Sequence, residues 1–96
     1  MKHTESETVG DVIYQYLREQ GLETPLNEYR LIKAWNEVMG KTVSRYTTGL
    51  SIRNQVLYVR LSSASLRNEI MMRHTELVRQ LNNHVGAQVI SRLSIS

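Results

Sequence analysis

The sequence predicts a two-layer α+β sandwich in which helices cover one face of a three-stranded sheet. Three observations lead to this fold class. The first part of the chain carries apolar residues at helical spacing, two later segments alternate with a period of two, and single glycines separate several of these segments. Because helices and sheets each bury one apolar face, packing the helices on one side of the sheet is the simplest arrangement. The predicted element order is α-α-β-β-α-β.

Two helices are predicted in the first 40 residues. The first covers about residues 7–20 and ends at Gly21, which tolerates the left-handed conformation of a helix end. The second begins at Thr24, which accepts an unpaired backbone N–H, and Pro25, which needs no donor at the first helical position, and it ends at Gly40. The predicted apolar stripes are Val9, Val12, Ile13, Tyr16 and Leu17 in the first helix and Leu31, Ile32, Trp35, Val38 and Met39 in the second.

Alternation after Gly40 predicts an antiparallel hairpin. The first strand covers residues 46–53, where Tyr46, Thr48, Leu50 and Ile52 alternate with the residues between them. The second covers residues 56–62, where Leu57, Val59 and Leu61 alternate in the same way. Asn54 lies between them and can adopt the positive φ that a tight turn requires. One face of this hairpin is expected to be buried and the other solvated.

A third, long helix and a last strand complete the predicted fold. The helix covers about residues 63–85 and ends at Gly86, and the strand covers residues 88–95 with Leu93 facing inward. His74 lies near the centre of the apolar side of this helix. We interpret it as a hydrogen-bonded imidazole at the core boundary rather than a metal ligand.

Length and composition indicate one small domain over residues 1–96, with residues 1–6 expected to be disordered. An apolar content of 41% suffices for one core, and the absence of cysteine excludes disulfides and thiolate metal sites. No apolar run approaches the roughly 20 residues of a membrane helix, and the polar, acidic start lacks the apolar segment of a secretory signal. A cytoplasmic protein with no membrane partner is therefore expected.

Charge is distributed unevenly along the chain. Residues 1–28 carry about −4 and residues 29–96 carry about +7, which together give the net charge of +3. A basic body suggests a polyanion partner, because Lys and Arg that neutralise phosphates release condensed counterions. A solvated surface with a basic bias explains the same pattern.

The sequence shows no arrangement typical of catalysis or metal binding. His74 and His84 are ten residues apart, which does not suit chelation on a helix, and no HExxH motif is present. The chain also lacks a GxxxxGK[ST] loop and a nucleophile elbow. We therefore predict no enzyme activity, cofactor, metal or small-molecule substrate.

Strand parity favours a nucleic-acid site on the outer face of the sheet. If the leucines and valine of residues 57–61 point to the core, then Tyr58 and Arg60 point away, and Arg53 and Arg92 lie on the same side. Guanidinium groups there would bind phosphates and the Tyr58 ring would stack on a base. The alternative is that Tyr58 is an ordinary cross-strand partner and the arginines maintain solubility. The predicted nucleic-acid-binding residues are Lys41, Arg45, Arg53, Tyr58, Arg60 and Arg92, and, on the third helix, Arg67, Arg73 and Arg79.

A protein-interaction surface is a further interpretation. Met71 and Met72 lie at the margin and outer side of the third helix, and we expect Val56 and Ile90 to be exposed on the sheet. Exposed methionines and aliphatic side chains would together mark a contact patch.

Three segments in order resemble the signature of a known family. Residues 35–40 (WNEVMG) resemble its W-x-x-h-h-G motif, residues 57–70 resemble its L-x-V-x-h-x-S segment followed by R-x-E-L, and residues 81–86 (LNNHVG) resemble its L-N-x-x-h-G motif. The family is the DciA-like group of small bacterial proteins, formerly a domain of unknown function. The resemblance extends over residues 9–95.

The resemblance implies a KH-like fold and a role beside the replicative DNA helicase. DciA-like proteins are associated with loading or operating that helicase and bind DNA, and other members have been described as RNA-binding. The GxxG loop of a true KH domain is absent from this chain, so the usual KH groove is not carried over. Among the signature residues, Trp35 is expected to anchor the core, Gly40 and Gly86 to end helices, and Ser63 or Ser65 to cap one.

The combined prediction is a non-enzymatic, cytoplasmic accessory protein of bacterial DNA replication. By resemblance its partners are the replicative helicase and DNA or RNA, with weak nucleic-acid binding through the basic sheet face. The alternatives are a general RNA- or single-strand-binding module without a helicase role, and a protein-interaction domain.

Overall fold

A computed structural model describes residues 9–19 and 23–96, and it places one three-stranded sheet against a layer of helices. The α+β class and the predicted order of helices and strands are confirmed, except that the third helix is divided in two. The elements are α1 (Val9–Glu19), α2 (Glu23–Tyr46), β1 (Thr47–Arg53), β2 (Val56–Leu61), α3 (Ala64–Met72), α4 (His74–Val85) and β3 (Arg92–Ile95).

The strand order is β1-β2-β3, so β2 occupies the centre of the sheet. β2 is antiparallel to β1 and parallel to β3. The β1–β2 turn contains Asn54 and Gln55, both with positive φ (52° and 64°), which is the geometry of a two-residue type I′ hairpin. A register shift between Thr47 and Gly49 leaves Thr48 as an extra residue in β1. The hairpin predicted from alternation is confirmed.

The core lies between the sheet and helices α2, α3 and α4. Trp35 is fully buried, as predicted, and its Nε1–H donates to Thr47 Oγ1 (3.1 Å), whose hydroxyl donates to the Val43 carbonyl (2.8 Å). This chain of hydrogen bonds ties the start of β1 to α2. The buried cluster consists of Leu31, Ala34, Trp35, Leu57, Val59, Leu61, Ile70, Leu77, Leu81, Val85, Val89, Ile90 and Leu93.

Gly40 interrupts α2 but does not end it. Its φ of 81° and ψ of 178° are non-helical, and a further helical segment follows at residues 41–46. Since an added Cβ at Gly40 would have nothing within 4 Å, the glycine is required for its backbone conformation and not for close packing. Tyr46, which alternation assigned to the first strand, belongs to this second helical segment.

The prediction of one continuous third helix is wrong, because the helix is divided at Arg73 into α3 and α4. Arg73 adopts φ −103° and ψ 16°, and its N–H donates to the Ile70 carbonyl at 3.0 Å. The break lets α3 pack against β2 while α4 packs against α2. Ser63 caps α3, since its Oγ accepts from the Leu66 N–H at 3.4 Å.

The last strand is shorter than residues 88–95, because strand pairing begins only at Arg92. Before it, the N–H groups of Val89 and Ile90 donate to the Asn82 side chain, and that of Ser91 donates to the Gln55 carbonyl at 2.7 Å. Asn82, buried in α4, accepts from the N–H groups of Val89 (2.9 Å) and Ile90 (3.1 Å) and donates to the Ile90 carbonyl (2.8 Å). Ile90 is consequently buried, and its predicted exposure is wrong.

The His74 side chain of α4 forms a hydrogen bond with the backbone of β3. Its Nε2 accepts from the Leu93 N–H at 3.0 Å, so the predicted hydrogen-bonded boundary imidazole is confirmed. A ring nitrogen that accepts carries no proton, so the opposite nitrogen bears it in the neutral ring. Gly86 ends α4 with φ 84° and ψ 22°, as expected for a left-handed C-cap.

Among the described side chains of the apolar stripe predicted for the first helix, none is fully buried, and the expectation for Leu17 lies outside them. Val12 is half-buried, whereas Val9, Ile13 and Tyr16 remain exposed. The expectations for Gly21 and for residues 1–6 lie outside the described residues. No helix within residues 9–19 and 23–96 has the length and apolar character needed to cross a membrane.

Candidate nucleic-acid interface

Three arginines lie on the side of the sheet that faces away from the helices. Cross-strand pairing places Arg53, Val56 and Arg92 in one row across β1, β2 and β3, and residues directly opposite one another share a face. Arg60 lies on the same face, four residues after Val56 in β2. All three arginines are exposed. We call Arg53, Tyr58, Arg60 and Arg92 the basic sheet face.

Tyr58 occupies the row between the arginines. Ser51 and Ser94 flank it on the neighbouring strands, and its own side chain is half-buried. The Arg53 guanidinium carbon lies 5.2 Å from the centre of the Tyr58 ring, within cation–π range. A base that stacked on Tyr58 would therefore either displace this guanidinium or stack on its planar outer side.

The described acidic residues do not neutralise the charge of the basic sheet face. Within residues 9–19 and 23–96, no carboxylate forms an ion pair with Arg53, Arg60 or Arg92. The three guanidinium groups therefore produce a positive potential over one side of the sheet and can attract phosphate groups.

An open depression lies beside Arg60 on this face. It has a volume of ≈ 350 Å³, and its lining includes Gly49, Ser51, Tyr58 and Ser96. Gly49 pairs with Arg60 across the strands, and a Cβ at Gly49 would meet the Arg60 Cβ at 3.5 Å. The missing side chain of Gly49 leaves room next to a guanidinium and a tyrosine ring.

Val56 is only 7% exposed, although it lies on the outer face between two arginines. The apolar stems of Arg53 and Arg92 flank it, and long charged side chains commonly cover apolar surface in this way. The expected exposure of Val56 is therefore wrong, whereas that of Met71 and Met72 is correct.

The remaining predicted binding residues belong to the helical layer. Arg67 of α3 is half-buried, and its guanidinium donates to the Leu61 carbonyl at 2.8 Å, so it secures the end of β2. Arg73 at the helix break and Arg79 on α4 are exposed. Lys41 and Arg45 are exposed in the helical segment that precedes β1. The structure thus brings together the four members of the basic sheet face and leaves the other five in the helical layer, four on helices and Arg73 at the break between α3 and α4.

Sequence reasoning missed the small residues of this surface. Gly49, Ser51 and Ser94 owe their positions beside Arg60 and Tyr58 to the register of three strands. Register between β2 and β3 depends on contacts distant in sequence, so alternation within a single strand did not reveal it.

Comparison with protein-family models gives one match for the chain. Residues 8–95 match the model described as "Dna[CI] antecedent, DciA". No curated protein matches the chain significantly. The family match covers every element from α1 to β3, including the whole basic sheet face.

Proposed function

Because the chain belongs to the DciA family, which is associated with helicase loading in DNA replication, we propose that it is a non-enzymatic accessory protein that contacts the replicative helicase and holds nucleic acid on its basic sheet face. The arrangement of Arg53, Arg60 and Arg92 on one open side of the sheet is the observation that carries the nucleic-acid part of this proposal.

Phosphates and bases would use different parts of the basic sheet face. Guanidinium groups bind phosphate oxygens with paired N–H donors, and each neutralised phosphate releases counterions. The Tyr58 ring and the Arg53 plane above it provide a stacking surface that does not depend on base identity. Three arginines and one tyrosine favour weak binding with little sequence preference.

Weak binding is compatible with a role beside a helicase. A protein that holds nucleic acid and helicase together converts the second contact into an intramolecular one, with an effective concentration in the millimolar range for short connections. The helicase would shift toward a DNA-engaged state only to the extent that the protein binds that state better. The proposal requires no covalent step.

Fluorescence anisotropy with a labelled single-stranded oligonucleotide tests the nucleic-acid part. The double variant Arg53→Gln/Arg60→Gln should make the slope of log K against log salt concentration shallower by about 1.4, since each phosphate contact contributes about 0.7. Arg73→Gln/Arg79→Gln removes the same charge from the helical layer and should change the slope by less than about 0.7.

A larger effect of the helical-layer variant than of the sheet variant would overturn the assignment to the sheet. The helicase part is tested separately, by recovering the purified replicative helicase on immobilised protein with and without nuclease. Recovery of the helicase both with and without nuclease supports a direct contact between the two proteins. Failure to recover the helicase in either sample leaves the alternative of a general nucleic-acid-binding module.

A further inference from the structure

Strand β1 forms an open edge of the sheet. It pairs with β2 on one side, and no other described strand pairs with it. In an antiparallel pair, only alternate residues direct their N–H and C=O groups at the neighbouring strand. The two-residue turn makes Arg53 and Val56 a hydrogen-bonded pair, so Leu50 and Ile52 direct these groups away from β2. Backbone donors and acceptors along such an edge are a template for a further strand.

The two edges of the sheet differ in how far they are covered. In β3 the Leu93 N–H donates to the His74 side chain, and α3 and α4 pack against this strand. β1 lacks the devices that commonly block an edge strand, since it contains no Pro or Lys and its single charged residue is Arg53 at its end. Its one irregularity is the extra residue Thr48, close to its start. Of the two edges, that of β1 is therefore the one open to a further strand.

Depressions lie on both sides of β1, and both include Gly49 and Leu50 in their lining. The depression on the helix side also contains Asn36 and Ser44 of α2, and Ser44 Oγ is buried without a hydrogen-bond partner among the described residues. The depression on the outer face is the one beside Arg60. Successive side chains of an added strand point to opposite faces, so they would enter the two depressions in turn.

The charges around β1 indicate which strand would fit this edge. Arg53 lies at one end of β1, and Lys41 and Arg45 are exposed in the helical segment that leads into the other end. Within the described residues, none of these three side chains forms an ion pair with a carboxylate. Arg60 adds a positive charge in the outer depression. Acidic side chains on the added strand would complement these charges.

We propose that the edge of β1 binds an extended, acidic segment of a partner protein as a fourth strand of the sheet. Its acidic side chains would lie on the outer face, and its small polar side chains would enter the depression on the helix side. Main-chain hydrogen bonds would hold the segment, and the two depressions would select its alternate side chains. This inference adds a protein-binding surface to the proposed function and does not depend on it.

A strand from a second copy of the chain does not match this edge. The three described strands contain Arg53, Arg60 and Arg92 but no acidic residue. Parallel pairing of two β1 strands would place Arg53 beside its own counterpart, and antiparallel pairing would bring it toward the cations that precede β1. Like charges across an interface weaken association. The described strands therefore supply no complement to the edge.

Fluorescence anisotropy with a labelled peptide as long as β1 (7 residues), alternating Thr and Glu, tests the inference. Only every second N–H of a strand faces its neighbour. Methylating the backbone nitrogens of one alternate set should therefore weaken binding at least about tenfold, and methylating the other set should not, because only the first set forms the ladder. Equal affinity of the two methylated peptides, or no binding of the unmodified peptide, would overturn the fourth strand.

Two arginines of the basic sheet face provide a matched pair of variants. Arg53→Gln should weaken peptide binding about threefold. Arg92→Gln removes the same charge from β3, at the opposite side of the sheet, and should leave peptide binding unchanged. Both variants should make the oligonucleotide salt slope shallower by the same amount. Equal losses of peptide affinity would assign the peptide to attraction by the whole face and overturn the edge.

Occupation of the edge by the chain itself has separate signatures. Glu5→Gln/Glu7→Gln should leave peptide affinity unchanged, and a rise in affinity would show that the chain's own N-terminal residues compete for the edge. A dimer in light scattering that excess peptide dissociates would assign the edge to a second copy. Either result would overturn the assignment to a partner protein. Peptide binding by a chain that binds no oligonucleotide would support the edge and refute the nucleic-acid part of the proposed function.

Discussion

Asn82 should contribute more to stability than any exposed polar residue of α4, because it organises the chain before β3. Its Oδ1 accepts from the N–H groups of Val89 and Ile90, and its amide donates to the Ile90 carbonyl. In Asn82→Ala the carbonyl keeps a partner, since Gln88 Nε2 also donates to it at 3.0 Å. The two N–H groups lose theirs inside the protein.

The expected magnitude follows from these two donors. A buried donor without a partner costs about 1–3 kcal/mol, so the loss of partners by two donors in Asn82→Ala should lower the free energy of unfolding by about 2–6 kcal/mol. A chain of 96 residues has a total stability of about 5–14 kcal/mol. Since each kcal/mol shifts the midpoint of thermal unfolding by about 5 °C in a domain of this size, Asn82→Ala should lower that midpoint by about 10–30 °C.

Urea unfolding monitored by fluorescence provides the measurement, because Trp35 is the single tryptophan and is fully buried. Asn83→Ala is the matched control, since Asn83 is the exposed neighbour in the same helix. If the two alanine variants differ by less than about 0.5 kcal/mol, the hydrogen bonds of Asn82 do not stabilise the fold as argued.

His74→Phe should lower stability by about 1–2 kcal/mol and accelerate exchange of the Leu93 amide, which loses its acceptor; unchanged amide exchange would contradict this. Gly40→Ala should lower the free energy of unfolding in urea by about 1–3 kcal/mol, and Gly86→Ala by only about 1 kcal/mol. The φ of 81° and ψ of 178° at Gly40 suit glycine alone, whereas Gly86 adopts the less strained left-handed conformation. Equal losses of stability in the two variants would refute this order. His84→Ala removes the exposed contact between His84 Nε2 in α4 and Glu37 Oε2 in α2 (2.7 Å) and should change stability by no more than about 0.5 kcal/mol. A larger loss would show that this contact contributes more than an ordinary surface pair.

Local periodicity predicted the strands of the hairpin well. In β2 the side chains at Leu57, Val59 and Leu61 are buried, whereas Arg60 between them is exposed, as the period of two requires. The positive φ of Asn54 was also predictable, because the conformation of a tight turn depends on only a few neighbouring residues.

The break between α3 and α4 was not predictable from the sequence pattern. No glycine or proline marks it, and Ile70 and Leu77, both buried, are seven residues apart, as a continuous helix would place them. The break at Arg73 instead accompanies contacts with different neighbours, including the bond from His74 to β3. Periodicity likewise predicted that α1 is amphipathic but contained no information on whether its stripe is covered.

For the candidate site, parity placed Arg53, Arg60 and Arg92 on one side of the sheet, and the structure shows them there. Their partners in space depend on strand order, which a single sequence does not specify. The parallel pairing of β2 with β3 brings Arg92 into the row of Arg53, and it results from a crossover through α3 and α4.

Substitution of the residues that carry the family resemblance and substitution of the arginines on the basic sheet face should affect stability and nucleic-acid binding differently. Several of the family-signature residues hold the helices to the strands or to one another, namely Trp35, Gly40, Ser63 and Asn82. Their substitution changes the stability of the fold and, through it, every activity of the chain. Arg60 is exposed and contacts no acid within the described residues, so its loss should alter nucleic-acid binding without altering unfolding. Variants of these signature residues should therefore recover nucleic-acid binding when the temperature is lowered, because a larger fraction of the molecules is then folded. Variants of the arginine should not, since the missing charge is absent from every folded molecule.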